Sequence, residues 1–173
     1  RIPNPEDYPT SVAELTDPKW ANNCAMARPL FGTTATHFAV LREIQGRDAT
    51  LDQLRQIQQN AVILSGNKQV ALAVASGRVA WGLTDTDDAI IEKDNGEPVV
   101  IVFPDQAPDQ LGTLRIPNTI AVLKGAPHAV AASRLADYLI RPETEDRLAM
   151  GNSSQLPLSR ESQFPPRVLP ADP

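Results

Sequence analysis

The stretch NKQVALAVASGRVAWGLTDTDD, residues 67–88, decides the fold that we expect for this chain. Its first half predicts a helix with one apolar face, ended by Gly77 in the left-handed conformation. Residues 79–83 then alternate between large apolar side chains and small or polar ones, which is typical of a short strand. Three aspartates follow that strand: Asp85, Asp87 and Asp88. Ligands bind at the carboxyl ends of strands in an open α/β sheet, so these carboxylates mark a candidate site.

Strands and helices are predicted to alternate along most of the chain. The predicted strands cover residues 24–27, 61–64, 79–83, 98–103 and 118–123. The first predicted helices cover residues 34–45, a segment opened by a Thr50–Gln53 capping box, and a segment that follows Asn67 as N-cap and is ended by Gly77. The later ones are a segment opened by the aspartates and residues 127–140 and 142–150. This order predicts an α/β fold, a three-layer sandwich with a central sheet that is mostly parallel or mixed.

Composition narrows the classes of function. The chain has 173 residues, enough for one domain with a full core, and a formal charge of −5 without the Lys/Arg clusters typical of nucleic-acid binding. No apolar run is long enough to span a bilayer. We therefore expect neither a nucleic-acid partner nor direct membrane insertion. The single cysteine, Cys24, is expected to be a buried thiol. Trp20 and Trp81 are expected to pack in the core or at a hinge rather than stack on a ligand.

Three segments together resemble a known family. They are residues 67–88, the segment SVAELTDPKWANNCAMARP at residues 11–29, and the segment GTLRIPNTIAVLKGAPHAVAASRLADYLIRPETEDRLA at residues 112–149. In this order they resemble the second lobe of type 2 periplasmic solute-binding proteins, specifically the ferric-iron-type binding proteins of ABC importers. The resemblance implies three parts: a segment connecting from a missing first lobe (1–23), a solute-binding lobe of the type 2 fold (24–150) and a Pro-rich C-terminal tail (151–173).

The resemblance also implies a function. A receptor of this kind binds a small solute or a metal ion without chemistry, closes its two lobes around it, and is recognised by the ABC permease of the importer. Such a receptor is exported and is periplasmic or held at the cell surface. No cofactor is implied with certainty, but Fe(III) or another hard cation is a candidate for the transported solute.

Two further places carry candidate ligand-binding residues. In the loop 29–37, Gly32 permits close backbone approach, and Thr33 and Thr34 add hydroxyls at a helix N-terminus, which suits an anion. The family's similar loop holds ligand groups in this way, although either threonine would also serve as a simple helix cap. Asn67 is either the N-cap of its helix or, as in the family, a side chain that reaches the ligand.

The aspartate cluster departs from the family. Ferric-binding members carry two adjacent tyrosines, whose phenolates ligate iron, where this chain has Asp87 and Asp88, and a cleft asparagine where it has Asp85. Carboxylates are hard oxygen ligands that suit Fe³⁺, Ca²⁺, Mg²⁺ or Mn²⁺, so Asp87 and Asp88 are candidate metal ligands. They would equally accept hydrogen bonds from an amine or a sugar hydroxyl. The alternative is an acidic first turn that complements the helix dipole.

Two other classes of protein fit parts of the pattern. A Mg-dependent phosphohydrolase would seat its metal on the three aspartates and its phosphate on the loop around Gly32. The sequence offers no nucleophile or general base with a fixed partner, and we expect a protein that is not an enzyme. The ligand-sensing domain of a transcription regulator shares the same lobe architecture and is the second alternative.

Overall fold

The computed structural model describes residues 2–152, 155–159 and 161. Within those residues the chain forms three strands: β1 Cys24–Ala27, β2 Val62–Leu64 and β3 Trp81–Leu83. It also forms six α-helices: α1 Gly32–Gln45, α2 Arg47–Asn60, α3 Asn67–Ala75, α4 Thr86–Asp94, α5 Ala129–Leu139 and α6 Pro142–Met150. None of the helices in this described part is long and apolar enough to cross a membrane.

The three strands form one parallel sheet in the order β2-β1-β3. Ala25 of the central strand lies opposite Val62 on one side and Gly82 on the other. Because all strands run the same way, their carboxyl ends lie along one edge of the sheet. Each strand leads into a helix there: β1 into α1, β2 into α3, and β3 into α4. The predicted α/β fold is confirmed.

Helices cover both faces of this sheet. Successive strand residues point to opposite sides, and both sets are apolar, so each face needs a covering layer. Cys24 and Met26 pack into one core with Phe38 of α1 and Ile57 of α2. Trp20 and Trp81 pack against this core and contact each other edge to face, with 6.0 Å between their ring centroids. Ala25 and Ala27 pack into a second core with Val70 and Ala73 of α3. These two cores make the three predicted layers. The prediction of a buried Cys24 thiol is also confirmed. The two tryptophans, predicted to pack in the core or at a hinge, are partly buried against the first core.

The chain divides into two compact units. The first extends to Leu114 and holds the whole sheet with α1 to α4; the second begins at Arg115 and holds α5 and α6. The sequence-based boundaries at residues 23/24 and 150/151 remain predictions. Most of the predicted tail, residues 151–173, lies outside the described residues.

Two predicted strands are wrong. Residues 98–103 and 118–123 form no strand, although their apolar side chains fit one. A strand requires a neighbour that accepts and donates ladder hydrogen bonds. Apolar patterning shows that a segment can be buried on one face, but it carries no information about where such a neighbour lies.

Two predicted helix starts are wrong because the capping was misjudged. Gly46, with φ 90°, lets α1 turn directly into α2, so α2 begins at Arg47 rather than at Thr50. The Thr50 hydroxyl lies inside the helix and donates to the Gly46 carbonyl at 2.9 Å. Similarly, Asn67 is the first residue of α3 rather than its N-cap; Gly66 takes the N-cap position, and no side chain caps this helix.

Gly77 and Pro142 act as their local signals predict, whereas two further helices start two residues away from their predicted positions. Gly77 has φ 74° after α3, as expected for a left-handed helix end, and α6 begins at Pro142 as predicted. The first helix starts at Gly32, two residues before the predicted start, and α5 starts at Ala129, two residues after Pro127.

Candidate functional site

The predicted site residues lie where three strands pass into three helices. Gly32, Thr33 and Thr34 open α1, Asn67 opens α3, and Asp85 precedes α4, whose first turn holds Asp87 and Asp88. All belong to the first compact unit. Because the strands are parallel neighbours, these three helix N-termini meet at the same edge of the sheet.

A hydrogen-bond network centred on Asn67 joins the three elements. The Asn67 Nδ2 donates to Thr33 Oγ1 and to Asp85 Oδ2, both at 2.6 Å. The Asn67 Oδ1 accepts from Thr34 Oγ1 at 3.1 Å. Thr33 Oγ1 also donates to Asp85 Oδ2 at 3.4 Å. The structure therefore brings four of the seven predicted residues into direct contact, although they are up to 52 positions apart in the chain.

The two threonines do not serve as caps. Phe31 occupies the N-cap position of α1 and makes no side-chain capping bond. The alternative in which Thr33 or Thr34 merely caps this helix is therefore wrong, and both hydroxyls are used in the network instead. Gly32 has φ 67°, a conformation that favours glycine, and the space where a Cβ would stand is open.

Asp85 stands at the N-cap position of α4 but does not cap it. Its Oδ2 accepts from Asn67 and Thr33, across to α3 and α1. Its Oδ1 is buried and has no hydrogen-bond partner. A buried carboxylate oxygen without a donor carries an uncompensated desolvation cost. This one side chain thus has one oxygen that accepts two hydrogen bonds and one buried oxygen without a donor.

The charge of Asp85 affects the pKa of both Asp87 and Asp88. Burial, a hydrogen bond with Asp85 and the charges of both other aspartates raise the pKa of Asp88 to about 6. Burial and the charge of Asp85 raise the pKa of Asp87 as well. The Asp85 and Asp88 carboxyl groups lie within hydrogen-bonding reach of each other. Three negative groups so close are stabilised by a proton or by any positive group that binds among them.

Sequence reasoning missed Lys68 and Thr84. The charge of Lys68, next to Asn67 on α3, opposes the rise in the pKa of Asp88, and Thr84 Oγ1 donates to the Asn67 carbonyl at 3.0 Å. Lys68 did leave a signal. A lysine in the first turn of a helix is unfavourable with respect to the helix dipole, which indicates a compensating acidic neighbour.

Metal binding at Asp87 and Asp88 remains a prediction. Across residues 2–152, 155–159 and 161, no three His, Cys, Asp or Glu side chains are arranged to hold a metal ion by themselves.

Comparison with known proteins gives one family and a set of similar folds. The profile of the family described as bacterial extracellular solute-binding protein matches residues 2–172. Iron-bound HitA from Pseudomonas aeruginosa superposes with a TM-score of 0.78 at 21% identity, over 97% of this chain and 54% of that one. A search of the curated proteins found no match.

Two further solved structures have a similar fold. The ferric binding protein from Campylobacter jejuni gives a TM-score of 0.76 at 18% identity, over 90% of this chain and 52% of that one. Apo FutA2 from Synechocystis PCC6803 superposes with a TM-score of 0.72 at 20% identity, over 96% of this chain and 55% of that one. At such identities the likeness establishes the fold. The chain spans about half the length of each of these structures.

Proposed function

This chain belongs to the family of bacterial extracellular solute-binding proteins, and from that membership we propose that it forms one wall of a cleft that binds solute for an ABC importer. The observation that carries the proposal is the network joining Thr33, Thr34, Asn67 and Asp85 at one edge of the sheet. Polar groups brought together at the carboxyl ends of parallel strands are where α/β folds bind ligands.

In this proposal the solute is bound and released without chemistry. The first turn of α1, from Gly32 to Thr34, offers backbone N–H groups to an anionic part of the solute. The carboxylates of Asp85, Asp87 and Asp88 receive a positive part. A second lobe closes over this wall, and the closed receptor docks on the permease at the outer face of the inner membrane, in the periplasm or at the cell surface.

The proposed solute is a hard cation, with Fe(III) as the first candidate. Two of the similar folds are an iron-bound protein and a ferric binding protein. Carboxylate oxygens at Asp87 and Asp88 replace the tyrosines that the resemblance leads one to expect, and they suit the same class of ion. The raised pKa of Asp88 fits a carboxylate that gains when a cation arrives.

Calorimetric titration of the 173-residue chain with ferric citrate at pH 7 tests this proposal. We expect measurable but weak binding, because the second wall of the cleft contributes about half of the contacts. Asp85→Asn should abolish it, whereas Asp48→Asn, which neutralises a carboxylate that is 92% exposed on α2, should leave it unchanged. Absence of binding by the unaltered chain, or equal binding by the Asp85 variant, would count against the proposal.

A phosphatase assay with Mg²⁺ and p-nitrophenyl phosphate separates the receptor from an enzyme. We expect no turnover above that of buffer with Mg²⁺. Robust turnover that disappears in Asp85→Asn would instead favour the phosphohydrolase.

A further inference from the structure

Residues 104–113 form a closed loop between two stretches of chain that are neither helix nor strand. Two side chains close the base of this loop. The Gln106 amide donates to Thr113 Oγ1 at 2.7 Å, and the Thr113 hydroxyl donates to the Pro104 carbonyl at 2.6 Å. The first compact unit extends to Leu114, so the loop lies where the chain leaves that unit.

Asp105 joins this loop to the segment that precedes the sheet. Its Oδ1 accepts from the Ser11 hydroxyl, 94 positions away in the sequence, and its Oδ2 accepts from the Val12 N–H at 3.4 Å. Its own N–H donates to the Thr10 carbonyl at 2.7 Å, and its carbonyl accepts from the Gly112 N–H at 2.8 Å. Both carboxylate oxygens and both backbone groups of Asp105 are therefore bonded. We call these five residues the Asp105 clasp.

The backbone of Asp105 shows that its surroundings hold it in place. It has φ 59°, in the left-handed region that residues other than glycine seldom adopt. Among the described residues that are not glycine, only Asn22 shares a positive φ. Val12, which donates to Asp105, is only 5% exposed and packs in the first core. The clasp is thus fixed to the part of the molecule that carries the sheet.

The clasp separates two stretches whose backbone is not bonded. Within the described part of the chain, the backbone groups of residues 100–103 and of residues 114–117 have no hydrogen-bond partner. With the clasp closed, the unbonded connection to the second unit is four residues long, 114–117; with the clasp open, it can lengthen to eighteen, 100–117. The reach of a flexible chain grows as the square root of its length, so opening the clasp would about double that reach.

We propose that the Asp105 clasp is the fixed end of a hinge and restricts bending of the chain to residues 114–117. Ser11 and Asp105 are positioning residues in this hinge, because they hold the loop 104–113 in place. Hinges are commonly a few loop residues that absorb the change in φ and ψ when parts of a protein move. This inference goes beyond the proposed function and needs no solute, so either one can fail without the other.

Amide exchange followed by NMR on the ¹⁵N-labelled chain tests the clasp. Asp105→Gly removes the carboxylate but keeps a residue that adopts positive φ freely, so it separates the side-chain bonds from the backbone conformation. We expect the Val12 and Gly112 amides to exchange at least about tenfold faster, as for a lost hydrogen bond to a charged group. Asp109→Gly makes the same change at an exposed position of this loop and should leave both amides unaffected.

Two further variants decide the question if Asp105→Gly does not fold. Ser11→Ala removes the hydroxyl that donates to the carboxylate and should speed exchange of the same amides. Asp105→Asn keeps an acceptor for Ser11 and should retain most of the protection. Where Asp105→Gly folds, adding Ser11→Ala to it should speed exchange no further, because both changes remove the same bond.

Pulsed EPR tests the hinge itself. Spin labels attached at Gln56→Cys on α2 and Ser133→Cys on α5 report the spread of distances between the two compact units. Both positions are exposed, whereas the native Cys24 is fully buried and is not reached by the label. We expect Asp105→Gly to broaden the distance distribution about twofold, in line with the longer free connection, and Asp109→Gly to leave it unchanged.

Two results would overturn the inference. Equal exchange rates in Asp105→Gly and Asp109→Gly would show that the Asp105 side chain does not hold the loop. Faster exchange at Val12 and Gly112 without a broader distance distribution would show that the clasp is local and that the chain does not bend at residues 114–117. Neither result bears on cation binding, which the titration with ferric citrate measures separately.

Discussion

At Asp85 the local signal in the sequence and the observed structure give different roles to the same residue. An aspartate just before a helix is expected to accept hydrogen bonds from the first-turn N–H groups. Here the carboxylate instead accepts from side chains of two other elements, and α4 has no side-chain cap. A cap contributes roughly 1 kcal/mol to helix stability. The chain uses this carboxylate to join α4 to α1 and α3 rather than to cap its own helix.

Asp88 should oppose folding at neutral pH. Its pKa is raised from 3.8 to about 6 by burial and by the neighbouring aspartates. A raised carboxyl pKa means that the folded state holds a proton which the unfolded state has released. The resulting stability is complete below the unfolded pKa and is lost as the pH rises through the folded pKa, so ionised Asp88 destabilises the fold at pH 7.

We therefore expect Asp88→Asn to raise the melting temperature at pH 7 and to have no effect near pH 4. The gain should be roughly 1–2 °C, because the side chain is partly exposed and solvent screens its interactions. Calorimetric unfolding of both proteins between pH 4 and 7 measures this, with Asp48→Asn as the exposed control. A gain that is equally large at pH 4 would show that the cause is not ionisation.

At the scale of elements, local sequence patterns predicted the helices and strands whose ends depend on nearby residues. Helix α6 and strand β1 begin and end where their sequences indicate, because Pro142 and the apolar run 24–27 act locally. The prediction of a strand at residues 98–103 was wrong because a strand needs a neighbouring strand to hydrogen-bond with, and the apolar pattern does not specify one. For the site, the three places could be predicted from strand ends, but the Asn67 bonds could not, since they depend on side-chain distances across three elements.

Gly82 sets the distance between β3 and α3. A Cβ added there would clash with Val70 Cγ1 and lie 3.0 Å from the Ala25 carbonyl oxygen. We expect Gly82→Ala to lower the free energy of unfolding by about 1–3 kcal/mol, the usual cost of overpacking a core. Urea unfolding measures the loss.

The Val70→Ala variant is the control for this clash. Removing the valine methyl groups makes room for the new Cβ, so the double variant should lose less than the sum of the single variants. Strict additivity would mean that Val70 is not what excludes a side chain at this position.

Asn60 joins the end of α2 by hydrogen bonds to the segment that precedes the sheet. This buried side chain donates to the carbonyls of Leu15 and Asp17 at 3.0 and 2.9 Å. Asn60→Ala leaves both carbonyls without that donor and should cost about 1–3 kcal/mol. Thermal unfolding should show the loss, while Gln59→Ala, an exposed change on the same helix, should show almost none. If both variants lose the same stability, the loss comes from changing a residue at this end of α2 and not from the Asn60 hydrogen bonds.

At the scale of the whole molecule, the apolar core is unevenly distributed. Both buried clusters lie in the first compact unit, around Met26 and Val70. Among the described residues of the second unit, only Thr144 and Ala149 are buried, and Val130 on α5 is 72% exposed. An eleven-residue helix with so little burial is marginally stable by itself.

We therefore expect α5 to open far more readily than α3. Hydrogen–deuterium exchange followed by mass spectrometry should show α5 amides exchanging at least about tenfold faster than those of α3, equivalent to about 1.4 kcal/mol of opening free energy. The two helices differ by only two residues in length, eleven against nine, so α3 is a fair internal reference. Adding ferric citrate should slow exchange at the start of α3 and α4, where the proposed site lies, and leave α5 unchanged. Protection of α5 equal to that of α3 in the unliganded chain would mean that buried apolar contacts do not determine where this molecule opens.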